Sequence, residues 1–312
     1  MFVLRGIAVS LTFFVLLYCL LSFLVACMWR GVKLLRYSSA LNRAHVLFLL
    51  RVAPLMATVV VTLALMVPSF VLLEPRSIEE DIAVPLVLGL ACLLLFALGL
   101  FRVVAAQKRS SRVIAEWLEG ASVLEAGSGA PTFQAIRATP PLTLVGVRSP
   151  KVVVSDATVA LLSADELRVA VRHEVVHMRS RDNLKKLVFQ CAPFPGMSGL
   201  EHAWQEAAEL AADDGAVSSV REALDLAAAL IKLSRLIPVR RAPAFTMGLV
   251  GGPAFLSGRI ERLLAWDSTK AYSVHANWPR TIAPVLAALL CAASLYGPAL
   301  TQTHRITEWL VR

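Results

Sequence analysis

Two histidines stand four residues apart, with a glutamate directly after the first, in the pattern His173-Glu-Val-Val-His177. On a helix this spacing puts both imidazoles on one face, where they can bind one zinc ion, with Glu174 next to that face. Zinc lowers the pKa of a bound water toward about 7 and polarises a peptide carbonyl. A carboxylate nearby takes the proton of that water and delivers it to the leaving amine. The pattern predicts a zinc metalloendopeptidase with one catalytic Zn²⁺ and Glu174 as the general base.

A catalytic zinc needs a third protein ligand and an open fourth position. A second predicted helix offers Glu206, Glu209 and Asp213, which are spaced by three and four residues and share one face. Small alanines around them allow this helix to lie close to the first. We expect Glu209 to be the ligand and Asp213 to hold a zinc histidine from outside the ligand set, as Asp182 can also do. Glu206 and His202 are the fallback ligands.

The helices and strands that must position these side chains lie between residues 102 and 280. Ser163 and Glu166 form a capping-box pattern that starts the helix of the two histidines. Short runs rich in β-branched residues, bounded by prolines, predict strands. The predicted elements are a helix over 102–119, strands over 132–138, 142–147 and 152–154, and helices over 165–179, 200–217 and 221–236.

The connecting segments carry four further expectations. The polar cluster Arg181-Asp-Asn183 is expected to end the first helix. Gly196-Met-Ser-Gly199 is predicted to be a turn that joins the two zinc-binding helices. Residues 238–258, with several prolines and glycines, are predicted to be a loop. The strand over 142–147 is expected to offer an edge to which an extended substrate peptide can add.

The composition is too hydrophobic for a purely soluble protein. Of the 312 residues, 57% are hydrophobic and 17% are charged, whereas soluble domains have about 45–50% and about 25%. The apolar residues are concentrated in four uncharged runs, which cover residues 6–29, 52–73, 82–101 and 281–303. Each run reaches the roughly 20 residues that a helix needs to cross about 30 Å of hydrocarbon. We therefore expect four transmembrane helices.

The charges between these runs predict their orientation. Residues 30–50, between the first two runs, contain no acid and four bases, which are Arg30, Lys33, Arg36 and Arg43. Residues 74–81 contain four acids and one base. The positive-inside rule puts the first segment in the cytoplasm and the second outside. The expected protein is a multi-pass protein of the cell (inner, cytoplasmic) membrane, with both termini outside and its catalytic domain in the cytoplasm.

The net charge of +9 does not indicate nucleic-acid binding. The basic residues are spread evenly over residues 102–280 and are not interleaved with aromatic residues, so no direct nucleic-acid partner is expected. Five cysteines in a chain of this length exclude a disulfide-dense secreted scaffold.

These motifs resemble those of the BlaR/MecR-type membrane metallopeptidases over roughly residues 102–267. The resemblance is carried by Val145-Gly-Val-Arg-Ser-Pro-Lys-Val-Val-Val154, Leu162-Ser-Ala-Asp-Glu-Leu167, His173-Glu-Val-Val-His177, Arg181-Asp-Asn183, Glu209-Leu-Ala-Ala-Asp-Asp214 and Arg259-Ile-Glu-Arg-Leu-Leu264. It implies that His173, His177 and Glu209 bind zinc and that Glu174 is the catalytic base. It also implies three spans, a cytoplasmic zinc domain and then a fourth span, which is the layout that the charges predict.

The expected fold is therefore a mainly α membrane protein with four transmembrane helices and an α+β, zincin-like metallopeptidase domain between the third and the fourth. Residues 1–101 form the first three helices, residues 102–280 the cytoplasmic domain, residues 281–303 the fourth helix and residues 304–312 a short external tail.

The resemblance also implies partners. Bacterial members of this type with a known role act in signal transduction, and their activation leads to cleavage of a cytoplasmic repressor. Members that sense β-lactam antibiotics carry a penicillin-binding domain after the fourth span, where this sequence has residues 302–312. We therefore expect a stimulus to arrive through a separate sensor protein or the membrane. The expected partners are the lipid bilayer and a protein substrate such as a transcriptional repressor.

Two alternatives stay open. The related HtpX and CAAX-protease families share both motifs and act in quality control or processing, although their spans are distributed differently. The chain can also be a non-proteolytic membrane signalling scaffold whose zinc is structural. In that case a fourth protein ligand, such as His202, would close the zinc site to water.

Overall fold

The computed structural model describes residues 2–29, 39–74, 83–125, 130–136, 139–191, 194–236, 246–248, 253–267 and 296–305. These residues form a mostly helical protein with one small mixed sheet.

Among the described residues, three helices are long and apolar enough to cross a membrane. They are α1 (Phe2–Met28), a composite helix in which α2 (Ala40–Val61) continues through a π-helical turn (Thr62–Met66) into α3 (Val67–Leu73), and α4 (Ala83–Leu118). Each of these helices contains one of the first three predicted spans to within one residue, and the second and third helices extend well beyond the predicted bounds. The predicted fourth span lies mostly outside the described residues, and its last part belongs to a helical segment over residues 296–305.

Helix α4 joins the third span to the peptidase region without a break. Its 36 residues give a length of about 54 Å at 1.5 Å per residue, which exceeds the roughly 30 Å of bilayer hydrocarbon. The last turns of α4 lie against one face of the sheet, where Ile114, Trp117 and Leu118 contact a small buried cluster. The predicted helix over 102–119 is thus the second half of α4.

The sheet has five strands in the described part of the chain, in the order β1-β2-β4-β3-β5. The strands are β1 (Ser122–Val123), β2 (Thr132–Ala135), β3 (Leu142–Val145), β4 (Lys151–Ser155) and β5 (Thr246–Gly248). Strands β2 and β4 are parallel, and the other neighbours are antiparallel. The expectation that β3 offers an edge is wrong, because β5 pairs with it on the side away from β4.

Both faces of the sheet are covered, which explains why its central strands are almost entirely apolar. Val152 and Val154 of β4 belong to the main core, together with residues of α6 and α9. Val153, which points the opposite way, belongs to the cluster under α4. Because side chains alternate along β4, this one strand packs against helices on both faces of the sheet.

Six helices of the described chain follow or flank the sheet. They are α5 (Asp156–Leu161), α6 (Ala164–Ser180), α7 (Asp182–Cys191), α8 (Ser198–Ala216), α9 (Val220–Ser234) and α10 (Pro253–Leu264). Helices α6, α8 and α9 agree with the predicted helices to within two residues at each end. The capping box of α6 is confirmed, because the Glu166 N–H donates to the Ser163 hydroxyl and the Ser163 N–H donates to the Glu166 carboxylate at 2.8 Å.

Two predictions about the connections are wrong. The cluster at residues 181–183 does end α6, because Arg181 adopts a left-handed conformation with φ of 54°. However, α7 begins at Asp182, so a whole helix separates α6 from the turn near Gly196. The predicted loop over 238–258 contains β5 and the start of α10 in its described part.

Helix α8 lies between the membrane helices and the site. On one side, Leu200, Ala203 and Trp204 form a buried cluster with α2 and α7. Near this cluster Arg51 of α2, which is buried, donates to the Glu201 carboxylate at 2.7 Å and to the Phe189 carbonyl at 3.2 Å. On its other side, α8 packs against α6.

Candidate metal centre

Helix α6 supplies the first two candidate ligands. His173 and His177 are one turn apart and fully buried. Val169 is one turn before His173 on the same face of α6, whereas Val175 lies on the opposite face. Both valines belong to the main core, so α6 is buried on both sides. The Nε2 atoms of the two imidazoles are 3.1 Å apart. The helix ends only three residues after His177, so the second histidine lies close to the start of α7.

Helix α8 brings Glu209 to these two nitrogens. The distances are 3.4 Å from Glu209 Oε2 to His173 Nε2 and 3.6 Å from Glu209 Oε1 to His177 Nε2. Ligands held about 2.0–2.1 Å from a tetrahedral zinc are about 3.3–3.4 Å from each other. The three side chains therefore fit one zinc ion. They form the one group of histidine, cysteine and carboxylate side chains close enough to share a metal among the described residues.

The two helices can approach this closely because α8 has a glycine at the contact. A Cβ atom at Gly215 would lie 3.0 Å and 3.1 Å from the two methyl carbons of Val176 on α6. Ordinary carbon contacts are about 3.5–4.0 Å. Gly215 thus allows a spacing of α6 and α8 that a larger residue would prevent.

Two buried carboxylates orient the histidines from outside the ligand set. Asp213 Oδ1 is 3.0 Å from His173 Nδ1, and Asp182 Oδ2 is 2.8 Å from His177 Nδ1. Because each Nδ1 faces a carboxylate, each Nε2 is directed to the same point, together with Glu209. Lys185 donates to the other oxygen of Asp182 at 2.8 Å. This is the arrangement in which metal-binding histidines are usually held.

Glu174 is fully buried beside the triad. Neither of its carboxylate oxygens has a hydrogen-bond partner in the described part of the chain. Burial raises the pKa of Glu174, although the neighbouring histidines oppose this effect. A buried carboxylate without partners is costly unless a ligand or solvent molecule satisfies it, and Glu174 is therefore the side chain here with spare capacity to accept a proton.

Helix α10 contributes Arg259, which is fully buried. Its guanidinium donates to both oxygens of Asp213, at 2.7 Å and 2.6 Å, and lies 3.1 Å from Glu209 Oε2. Burial alone would raise the pKa values of Asp213 and Glu209, but Arg259 and the neighbouring histidines together outweigh it, and the pKa of each carboxyl is lowered. Both carboxyls are therefore held as carboxylates.

The carboxylates around His177 favour its protonated, positively charged form. Burial tends to lower the pKa of His177, but the Glu209 carboxylate and the hydrogen bond to Asp182 raise it to about 10. The triad offers two imidazole nitrogens and one carboxylate, and further carboxylates surround it. These are the ligand types that zinc and similar divalent metals bind in proteins.

The fallback ligands do not reach this site. The side chains of His202 and Glu206 are 75% and 37% exposed and lie 3.5 Å from each other. Glu206 is one turn before Glu209 on α8, and His202 is two turns before it. Neither belongs to the group of described side chains that are close enough to share a metal, so the structure gives no support to either as a ligand.

Beside His177 a cavity of about 430 Å³ opens between the turn after β3 and the start of α7. Two exposed arginines, Arg148 and Arg181, line it together with Asp182. Asn183 closes one wall, because its side chain donates to the Gly146 carbonyl at 2.9 Å.

Sequence reasoning missed the cations around the site. The sequence motifs place Arg259 in a late helix without a role at the site, and they predict no role for Lys186. Burial lowers the pKa of Lys186 against the opposing effect of the Glu209, Asp182 and Glu174 carboxylates. One signal was available: Lys186 stands four residues after Asp182, so a helix starting there would put both on one face. No comparable local signal pointed to Arg259.

The comparisons with known proteins agree with this geometry. No curated protein matches the chain. The family model described as Peptidase family M48 matches residues 107–308, which include every residue of the triad, Glu174 and Arg259. The match covers more than half of the chain, and the matched region holds a triad that fits a metal. The chain therefore belongs to peptidase family M48 and is a metallopeptidase.

Proposed function

We propose that this protein is a membrane-anchored zinc endopeptidase that hydrolyses peptide bonds of a cytoplasmic or membrane-proximal protein. The observation that carries the proposal is the buried triad of His173, His177 and Glu209, with the carboxylate of Glu174 beside it. The family membership supports the same reaction class.

Each residue has a distinct role in this mechanism. His173, His177 and Glu209 would hold the zinc, and Asp213 and Asp182 fix the orientations of the two imidazoles. When bound, zinc supplies Lewis acidity to a peptide carbonyl and to water. Glu174 takes a proton from the attacking water and later delivers it to the leaving nitrogen. Its two oxygens have no hydrogen bond to a described residue that must break first.

The proposed orientation rests on where the charged residues meet. Glu74, at the end of α3, forms an ion pair with Arg5 of α1 and lies 3.5 Å from His304. The start of α1, the end of α3 and the segment over 296–305 therefore share one end of the helical bundle. The triad lies toward the other end, where Arg51 of α2 contacts α7 and α8. With the basic residues of the first connecting segment in the cytoplasm, the peptidase site would face the cytoplasm too.

The biological role is proposed from the motif resemblance. A BlaR/MecR-type role would be regulated proteolysis, such as cleavage of a transcriptional repressor after a signal from a separate sensor protein. An HtpX-like or CAAX-protease-like role would be quality control or processing. Both roles need the same catalytic residues. A scaffold with a structural zinc is less well supported, because the triad gains no fourth protein ligand among the described residues.

The proposal is tested with Glu174→Gln, which keeps the size of the side chain and removes its basicity. In cells that express the parent or this variant, we expect new protein N-termini that depend on Glu174. The control is Glu206→Gln, since Glu206 is an acid on the surface of α8. Loss of general base catalysis should slow cleavage by about 10²–10⁴. Equal sets of N-termini from the parent and Glu174→Gln would refute the assigned mechanism.

Metal content provides a second readout. The purified Glu174→Gln protein should retain as much zinc as the parent, whereas His177→Ala should lose it, because the ligand set needs three members. Zinc retention by His177→Ala would show that the metal is bound elsewhere.

A further inference from the structure

Helix α10 places two arginines on α8, and they differ in what they hold. Arg259 is buried and contacts Asp213 and Glu209. Arg262, one turn later, is partly exposed and contacts Asp214 at 2.7 Å and the Leu210 carbonyl. Both residues join α10 to α8 through an aspartate. Of these two arginines, only Arg259 contacts Glu209 of the triad and Asp213, which faces His173.

We propose that Arg259 is a positioning residue for the metal site, and that α10 is the element that fixes two of the three ligand side chains. This inference rests on the proposed zinc-dependent function. Arg259 holds Glu209 directly and holds His173 through Asp213. Its contacts with the two carboxylates arise from one rigid planar group, so the positions of Glu209 and Asp213 are set relative to each other.

The geometry explains why the residue is an arginine. A guanidinium presents its donors in a fixed fork, which matches the two oxygens of Asp213 at 2.7 Å and 2.6 Å and leaves a further nitrogen 3.1 Å from Glu209 Oε2. A lysine has the same charge but a single nitrogen without the fork. Its three donors radiate from that one nitrogen on a flexible chain, so it cannot reproduce the fixed fork that contacts both Asp213 oxygens and Glu209 together.

The charge of Arg259 should weaken metal binding, whereas its positioning of Glu209 and Asp213 should strengthen it. A buried cation near the triad repels a divalent metal, so removing its charge favours metal binding while the loss of positioning disfavours it. The substitution Arg259→Lys keeps the charge and removes the fork. It therefore isolates positioning, which Arg259→Ala cannot do.

The experiment uses the full chain purified in detergent and Zn²⁺ itself as the probe. Zinc affinity is measured by competition with a chromophoric chelator for the parent, Arg259→Lys and Arg262→Lys. Outer partners of metal ligands typically change metal affinity by 10–100-fold, and we expect Arg259→Lys to weaken zinc binding by about tenfold or more. Arg262→Lys is the matched control, since it loosens the same pair of helices at a partly exposed contact, and we expect a change below about twofold.

Two further measurements separate positioning from folding. Thermal unfolding without zinc reports the structural cost of each variant. If Arg259→Lys lowers the unfolding temperature but leaves zinc affinity unchanged, Arg259 is structural and the inference is overturned. If Arg259→Lys unfolds the protein altogether, Asp213→Asn replaces it in the affinity measurement, because it weakens the same contact from the other side. An unchanged zinc affinity in Asp213→Asn would then overturn the inference.

The double variant Arg259→Lys/Asp213→Asn checks that the two residues act together. If Arg259 acts partly through Asp213, the double variant should lose less zinc affinity than the product of the two single losses. Independent losses that multiply would contradict this route. Failure of the proposed function itself is recognised separately, because the parent would then bind no zinc that depends on His177.

Discussion

Replacing Gly215 with alanine should destabilise the protein, although alanine favours a helix more than glycine does. The new Cβ would lie 3.0 Å and 3.1 Å from the two methyl carbons of Val176, about half an ångström inside ordinary contact. Val176 is β-branched and has one strongly preferred rotamer in a helix, so it cannot move both methyls away. Overpacking costs about 1–3 kcal/mol, and the helix gain is about 1 kcal/mol. We expect a net loss of up to about 2 kcal/mol.

The sign should reverse when the obstructing methyls are removed. In a Val176→Ala background the added Cβ has space, so Gly215→Ala should stabilise by up to about 1 kcal/mol. Gly258 of α10 is the control within the native chain, because nothing lies within 4 Å of a Cβ built there. Gly258→Ala should therefore be stabilising in either background.

Chemical unfolding of the detergent-solubilised protein with zinc chelated measures these free energies. Zinc affinity of Gly215→Ala should also fall, because α6 and α8 carry the triad and such sites tolerate displacements of about 0.5 Å. An equal effect of Gly215→Ala in the parent and the Val176→Ala background would refute the steric argument.

Three further predictions concern other contacts. Asp182→Asn should weaken zinc binding about 10–100-fold, because it removes the carboxylate 2.8 Å from His177 Nδ1. Chelator competition measures this zinc affinity, and an unchanged affinity would contradict the role of Asp182. Burial tends to raise the pKa of Glu166, but Lys232 and the Ser163 cap lower it below its ordinary value of 4.5. A carboxyl with a lowered folded pKa stabilises above its unfolded pKa and loses this effect as the pH falls through the folded value, so the stability difference between parent and Glu166→Gln should be largest near neutral pH and shrink below 4.5. Glu201→Gln removes the carboxylate from buried Arg51 and should lower the free energy of unfolding by about 1–2 kcal/mol, since Glu201 is partly exposed. The control Glu206→Gln should lower it by less than about 0.5 kcal/mol. Equal unfolding midpoints for Glu201→Gln and Glu206→Gln would argue against a stabilising role for the Arg51–Glu201 contact.

Local signals predicted the elements that present the catalytic motif. Helix α6 begins with a capping box whose two hydrogen bonds form as expected, and the β-branched run of β4 is a buried strand. These features depend on neighbours within four residues along the chain, and short-range pattern rules describe such neighbours well.

The errors involve pairings between distant residues. Strand β5 has three residues and pairs with β3 from a distant part of the chain, so the segment around it was expected to be a loop and β3 to be an edge. Arg259 meets Asp213 across 46 residues, and no periodicity within α10 indicates that contact. Helix α7 was missed because the polar residues that end α6 also start the next helix.

The candidate site shows the same division. The spacing of His173 and His177 was informative because an α-helix fixes it. Glu209 was the expected third ligand, with Glu206 and His202 as fallback ligands, since each is within one turn of the next along α8. These residues share one face of α8, so the choice between them depends on the position of α8 along its axis relative to α6. The packing of Trp204 and Ala208 against α2 and α7 determines that position.

That packing has a thermodynamic consequence for a protein in a bilayer. Helix α8 carries Glu209 on one side and lies against membrane helix α2 on the other, so the tilt of α2 and the position of Glu209 are energetically coupled. A bilayer whose thickness does not match a membrane helix changes its tilt at a cost of fractions of a kcal/mol per ångström. Zinc affinity should therefore vary with acyl-chain length, and by reciprocity zinc occupancy should shift the preferred tilt of α2 by the same free energy.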